Sequence, residues 1–196
     1  MSSGVLIVGI GGTPRSGSST ERALVHALSV AEGAGARTRL FGGEFLERLP
    51  HFNPGPAGPS TEQAELAKAV CQADGIILAT PGYHGSLSGV VKNALDTLEL
   101  TRDDARPYFH GLPVGIIITA DGAQAGGTTL MAVRGIIHAM RGWPTPYGAA
   151  LNAARLFDEA GAFREARDAG QVATVADQVM EFAQMRRAQT GAKASV

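Results

Sequence analysis

The chain has 196 residues, of which 44% are hydrophobic and 18% charged, and its net charge is −1. This suits one moderate globular domain with its own core and excludes a bulk electrostatic case for nucleic acid or an anionic membrane surface. The single cysteine, Cys71, rules out a disulfide framework within the chain and a cysteine-built metal centre, and no apolar run reaches the roughly 18 residues of a membrane span.

The chain opens without a basic segment leading into a long apolar one, so no secretory leader and a cytoplasmic location are expected. Residues 5–10 form a continuous apolar run with β-branched residues, the pattern of a strand buried on both faces. The next stretch, residues 9–20, reads GIGGTPRSGSST. Glycines let backbone N–H groups turn toward an anion, and the following helix, residues 19–32, adds its unpaired N–H groups and positive dipole end. Ser18 and Glu21 fit a capping box that starts this helix.

The segment lacks the Gly-Lys-Ser/Thr ending of a nucleoside triphosphate loop. Gly9 and Gly11 match the first two glycines of a dinucleotide fingerprint, but Pro14 stands at the third. Several hydroxyls and one arginine suit a terminal monophosphate, so Thr13, Arg15, Ser18, Ser19 and Thr20 are candidate phosphate ligands for a mononucleotide such as FMN. The alternative is an ordinary strand-to-helix turn.

Residues 36–41 read as a second strand and residues 42–59, with four prolines, as a long irregular loop. A helix over 60–72, with a Ser60/Gln63 capping box, a strand over 75–79, a helix over 88–98 and a strand over 113–119 follow. The pattern closes with a helix over 128–141, a strand over 147–151 and a helix over 168–188. Residues 1–189 are expected to form one domain and residues 190–196 a disordered tail. Alternating strands and helices predict an α/β fold, a doubly wound five-stranded parallel sheet with helices on both faces. Ligands of such sheets sit beyond the carboxyl ends of the strands, here at loops beginning near Gly11, Thr80 and Ala120.

The second loop and its helix read TPGYHGSLSGVVKNALD, residues 80–96. A flat, partly apolar ring needs one apolar wall and close backbone. Pro81, Gly82 and Gly85 free the backbone, and Tyr83 is either that wall or a core side chain. Thr80, Pro81, Tyr83, Gly85, Ser86, Gly89, Lys92, Asn93 and Asp96 fill every fixed position of T-P-x-Y-x-G-S-x-x-G-x-x-K-N-x-x-D. In this the segment resembles the NAD(P)H-dependent FMN reductases of the flavodoxin-like superfamily. Gly82 and His84 depart from the glutamate and asparagine that many members carry there.

The resemblance implies a flavodoxin-like fold, FMN with NADPH or NADH as co-substrate, and a homo-oligomer, dimer or tetramer. It places Pro81, Gly82, Tyr83, His84, Gly85 and Ser86 along the isoalloxazine, and Asp121, Gly122, Gln124, Gly126 and Gly127 at its other edge. Gln124 either bonds the ring or belongs to a solvated loop. Hydride transfer from nicotinamide to flavin N5 requires stacked rings and no protein acid or base, so no catalytic side chain and no metal are expected.

The leading reading is an NAD(P)H:FMN oxidoreductase in which nicotinamide and acceptor share the exposed flavin face in turn, a ping-pong scheme, with reduced flavin supplied to a monooxygenase partner. The alternatives are a reductase of quinones, azo dyes or metal oxyanions that keeps its FMN, and a flavodoxin-type electron carrier. The net charge of −1 counts against the carrier, whose kind is strongly acidic. Arg15→Ala removes a charge-assisted phosphate contact of about 1.5–3 kcal/mol, so FMN affinity measured by titration is expected to fall roughly tenfold or more; an unchanged affinity means the loop does not hold the phosphate.

Overall fold

A computed structural model describes residues 4–15, 17–55 and 58–193. Its frame is a sheet of β1 (Leu6–Gly11), β2 (Arg37–Phe41), β3 (Gly75–Tyr83), β4 (Ser86–Leu87), β5 (Pro113–Ala120) and β6 (Trp143–Asn152). The order is β2-β1-β3-β5-β6, all parallel, with β4 antiparallel to β3. The expected five-stranded doubly wound parallel sheet is therefore present, with a two-residue sixth strand added. The chain runs from β1 outward to β2, then returns to β3 on the opposite side of β1. That reversal is the switch point at which such sheets open a crevice.

The central strands alternate their side chains between two cores, as the period of two requires. Val8, Ile10, Ile76, Leu78, Val114, Ile116 and Ile118 face a layer that includes α3 (Thr61–Gln72), α4 (Gly89–Thr97) and α5 (Ala123–Ala139). Ile7, Ile77, Ala79 and Ile117 face α1 (Ser19–Gly33) and α6 (Ala166–Lys193), through Leu24, Leu28, Val172, Val175 and Val179. Apolar residues on both faces explain why β1, β3 and β5 read as uninterrupted hydrophobic runs.

Several expectations need correction. The stretch expected to be loop at residues 42–59 begins with a helix, α2 (Gly43–Arg48), signed by an i,i+4 pair in which Arg48 donates to Glu44 at 2.6 Å. Helix α5 starts at Ala123 rather than residue 128. Gly126 in its first turn faces β6, where a Cβ would stand 3.4 Å from the Cβ of Ala150. Tertiary packing thus overrides the poor helix propensity of the Gly126-Gly127 pair. Strand β3 continues to Tyr83, past its expected end at residue 79.

Strand β6 begins at Trp143, with Pro144 and Pro146 tolerated because it is the sheet's edge. The tail expected from residue 190 is helical to Lys193, and residues 194–196 lie outside the described residues. Among the described residues no helix is long and apolar enough to cross a membrane.

At the end of β1, Gly11 has φ +152°, and a Cβ there would lie 2.0 Å from the carbonyl oxygen of Ala79 on β3. Backbone cannot yield as a flexible side chain can. Gly11→Ala is expected to destabilise the fold by about 3 kcal/mol or more, read from the denaturant midpoint; a loss under about 1 kcal/mol would show that the strands separate without cost.

Candidate functional site

Beyond the carboxyl ends of β1, β3 and β5 lies a cleft of about 470 Å³. It is lined by Thr13, Pro14, Arg15, Ser18, Ser19, Thr20, Pro81, Tyr83, Thr119, Ala120, Asp121 and Ala153. All five candidate phosphate residues meet there, although they span only the β1–α1 turn. Ser18 is the N-cap of α1, its Oγ accepting the N–H of Glu21 at 3.3 Å. The reciprocal half of the expected capping box is replaced. Glu21 Oε2 instead accepts the N–H of Gly43, the first residue of α2, at 2.8 Å. Ser60 and Gln63 form their box completely.

The turn is shaped by its own contacts. Thr13 Oγ1 donates to the carbonyl of Arg15 at 3.3 Å, and Arg22 Nε donates to the carbonyl of Gly17 at 2.9 Å. Arg22 also lies 5.4 Å over the ring of Phe157, which pairs with Phe163. That strap braces α1 from outside, and Phe163 meets His26 edge-on at 4.8 Å. Burial there holds the His26 imidazole below its ordinary pKa. Ser16 lies outside the described residues. The Arg15 guanidinium makes no hydrogen bond or ion pair among the described residues, so the cleft has a cation ready for an anion. The start of α1 adds its dipole. Asp121 contributes the opposite charge to the same lining.

The second predicted loop is a β-hairpin. Tyr83 pairs with Ser86 across His84 and Gly85, whose φ angles of 52° and 82° are the positive pair that a two-residue type I′ turn needs. Pro81 and Tyr83 face the cleft. Tyr83 is 55% exposed, which excludes the core reading and leaves its ring free as a wall. Gly82, His84, Gly85 and Ser86 do not line the cleft. Gly82 faces α5, where a Cβ would meet Thr129 Oγ1 at 2.9 Å, and the Ser86 carbonyl accepts from that hydroxyl at 3.4 Å. Of the third group, Asp121 lines the cleft; Gly122 caps α5, and Gln124, Gly126 and Gly127 lie in its first turns, outside the cleft lining. The expected glycine loop is therefore reduced to residues 121 and 122.

Pro14, Thr119, Ala120 and Ala153 complete the wall and are not among the sequence candidates. The two residues that end β5 were discoverable from the carboxyl-end rule. Ala153 was not, because it arrives on the short 3₁₀ turn Ala153–Arg155 after the edge strand.

The remaining motif residues hold structure. Asn93 Oδ1 accepts the N–H of Phe52 at 2.8 Å, and its Nδ2 donates to the carbonyls of Leu49 and Pro50, tying the segment after α2 to α4. Lys92 and Asp96 form an exposed i,i+4 pair at 2.8 Å. A second cleft, about 530 Å³, runs between α4, α5 and Phe52, and none of the phosphate or hairpin residues reach it. Cys71 stands apart beside Asp104, and burial together with that carboxylate raises its thiol pKa.

A doubly wound parallel sheet with a hydroxyl-rich turn and a helix N-terminus at its switch point is a fold of the flavodoxin kind. The chain belongs to the NADPH-dependent FMN reductase family, whose profile matches residues 5–155. It is 38% identical over 82 residues to an FMN-dependent NADPH-azoreductase of Staphylococcus aureus; the match covers 42% of this chain and 40% of that relative. Among solved structures, the fold is similar to FerB, a flavoenzyme NAD(P)H:(acceptor) oxidoreductase of Paracoccus denitrificans, with TM-score 0.76, 19% identity and coverage of 92% of this chain and 98% of that one. It is also similar to the apo form of the NADH:FMN oxidoreductase EMOB, with TM-score 0.69, 23% identity and coverage of 90% and 88%.

The hairpin is pinned from within. Buried Thr80 Oγ1 accepts the N–H of Ser88 at 3.0 Å and donates to the Pro81 carbonyl at 3.0 Å. Thr80→Val leaves that N–H without its acceptor, so a loss of about 1–3 kcal/mol is expected in chemical denaturation, with faster amide exchange at Ser88. An unaltered exchange rate would show that the hairpin holds without this bond.

Proposed function

We propose that this protein is an NAD(P)H-dependent FMN oxidoreductase whose flavin phosphate sits in the β1–α1 turn and whose ring lies against Tyr83. The observation that carries the proposal is the meeting, in one cleft, of Arg15 without a partner among the described residues, the hydroxyls of Thr13, Ser18, Ser19 and Thr20, and the half-exposed Tyr83. The residues fit the group. The cleft's volume falls within the range of small-molecule cofactor sites, its phosphate end is cationic, and its ring end carries an aromatic wall.

FMN, when bound, supplies an isoalloxazine that takes two electrons from a reduced nicotinamide and passes them on. Arg15 and the α1 N-terminus neutralise the phosphate and set the register of the molecule. Pro81 has no N–H of its own and presents a smooth face, and the two-residue turn holds Tyr83 at the mouth. The open side beyond Tyr83 admits nicotinamide and acceptor in alternation, a ping-pong order. None of these residues has to move a proton for the transfer.

A second reading keeps the FMN bound and reduces an azo, quinone or metal-oxyanion acceptor; the partial likeness to an azoreductase favours it. On the first reading free reduced flavin serves a monooxygenase. A homo-oligomer in the cytoplasm suits both, with part of the low charge content taken up by subunit contacts.

The test is anaerobic visible spectroscopy of the purified protein with FMN and then NADPH or NADH. Bleaching of the flavin band near ~450 nm is expected, and a flavin that stays oxidised with both nucleotides would sink the proposal. Gel filtration of the loaded protein separates the two readings: flavin lost on the column supports a diffusing product, and flavin retained supports the azo, quinone or oxyanion reductase.

A further inference from the structure

Two buried threonines meet at the floor of the cleft. Thr20, in the first turn of α1, and Thr119, near the end of β5, are 2% and 1% exposed, and both line the cleft. Their hydroxyl oxygens are 2.6 Å apart, and neither makes another hydrogen bond among the described residues. Two hydroxyls carry two protons, and one bond between them uses one. The second proton has no acceptor among the described residues, and the surface available to it is the cleft.

We infer that Thr119 is a positioning residue: its O–H donates to Thr20 Oγ1 and thereby directs the Thr20 O–H at a terminal phosphate oxygen of the mononucleotide. This rests on the reading that the turn holds FMN by its phosphate. The direction follows from placement. Thr20 stands on the helix turn that carries Ser18 and Ser19, where the anion is gripped, whereas Thr119 reaches it from the strand side. A hydroxyl that already accepts a bond is a stronger donor, and its rotor is no longer free. The pair is invisible in sequence because its members are 99 residues apart.

The readout is the ratio of FMN to riboflavin affinity, measured by flavin fluorescence on wild-type and variant apoprotein, because only FMN carries the phosphate. Thr20→Val is expected to lower that ratio about tenfold. Thr119→Val is expected to lower it about threefold and Thr119→Ser to restore it. In the Thr20→Val background, Thr119→Val should change the ratio no further, because Thr119 acts through Thr20. The phosphorus-31 resonance of bound FMN should shift in Thr119→Val and return in Thr119→Ser. Should Thr119→Val not fold, Thr119→Ala reads the same ratio.

A Thr119→Val protein that keeps the wild-type ratio overturns the inference. So does one that loses riboflavin and FMN alike, which is the mark of a merely structural pair, or one whose loss persists undiminished in the Thr20→Val background. A wild-type protein with no preference for FMN over riboflavin would instead overturn the phosphate reading beneath it.

Discussion

The cleft depends on backbone meeting backbone. Gly11 lies so close to β3 that a Cβ would be driven into the Ala79 carbonyl, and at Gly43 a Cβ would stand 1.8 Å from the carbonyl oxygen of Thr13. Only glycine permits either approach. Between them these contacts clamp the turn that follows β1, with the next strand on one side and α2 on the other. Glu21 completes the clamp by accepting the Gly43 N–H from the first turn of α1. These contacts fix both flanks of the turn, its start against β3 and α2 and its end at the first turn of α1.

Around that turn the fold supplies support in layers. Inside, two cores sandwich β1, β3 and β5, so the strand ends that open the cleft cannot shift independently. Outside, Arg22 holds Gly17 and leans on Phe157, linking the turn to the strap after β6. Across the cleft, Thr80 ties the hairpin's return to the strand from which it leaves. Tyr83 is thus an exposed aromatic on a short, hydrogen-bonded ribbon. An exposed ring is tolerable when it serves a ligand face, and the surrounding residues are polar.

The motif around residues 80–96 separates into two kinds of residue. Pro81 and Tyr83 form cleft surface. Asn93 satisfies three backbone groups of residues 49–52 through part-buried and exposed bonds. Lys92 and Asp96 make a half-exposed pair of small energetic weight. Gly82 belongs to packing as well, since it lets α5 approach β3. A dense motif therefore records the demands of the hairpin and its helix as much as those of a ligand.

What the chain declares on its own is local. Uninterrupted apolar runs announce strands buried on both faces, and Ser18 and Ser60 announce helix starts, because each rests on chemistry confined to a few neighbouring residues. Tertiary structure alone decided the rest. It made a helix of residues 43–48 and carried α5 back to Ala123 through two glycines, because packing against the sheet outweighs propensity. It diverted Glu21 from its own helix cap to α2, and it brought Thr119 to Thr20 and Ala153 to the cleft wall. Those contacts join segments far apart in the chain, and no local pattern encodes a distance that only the folded sheet creates.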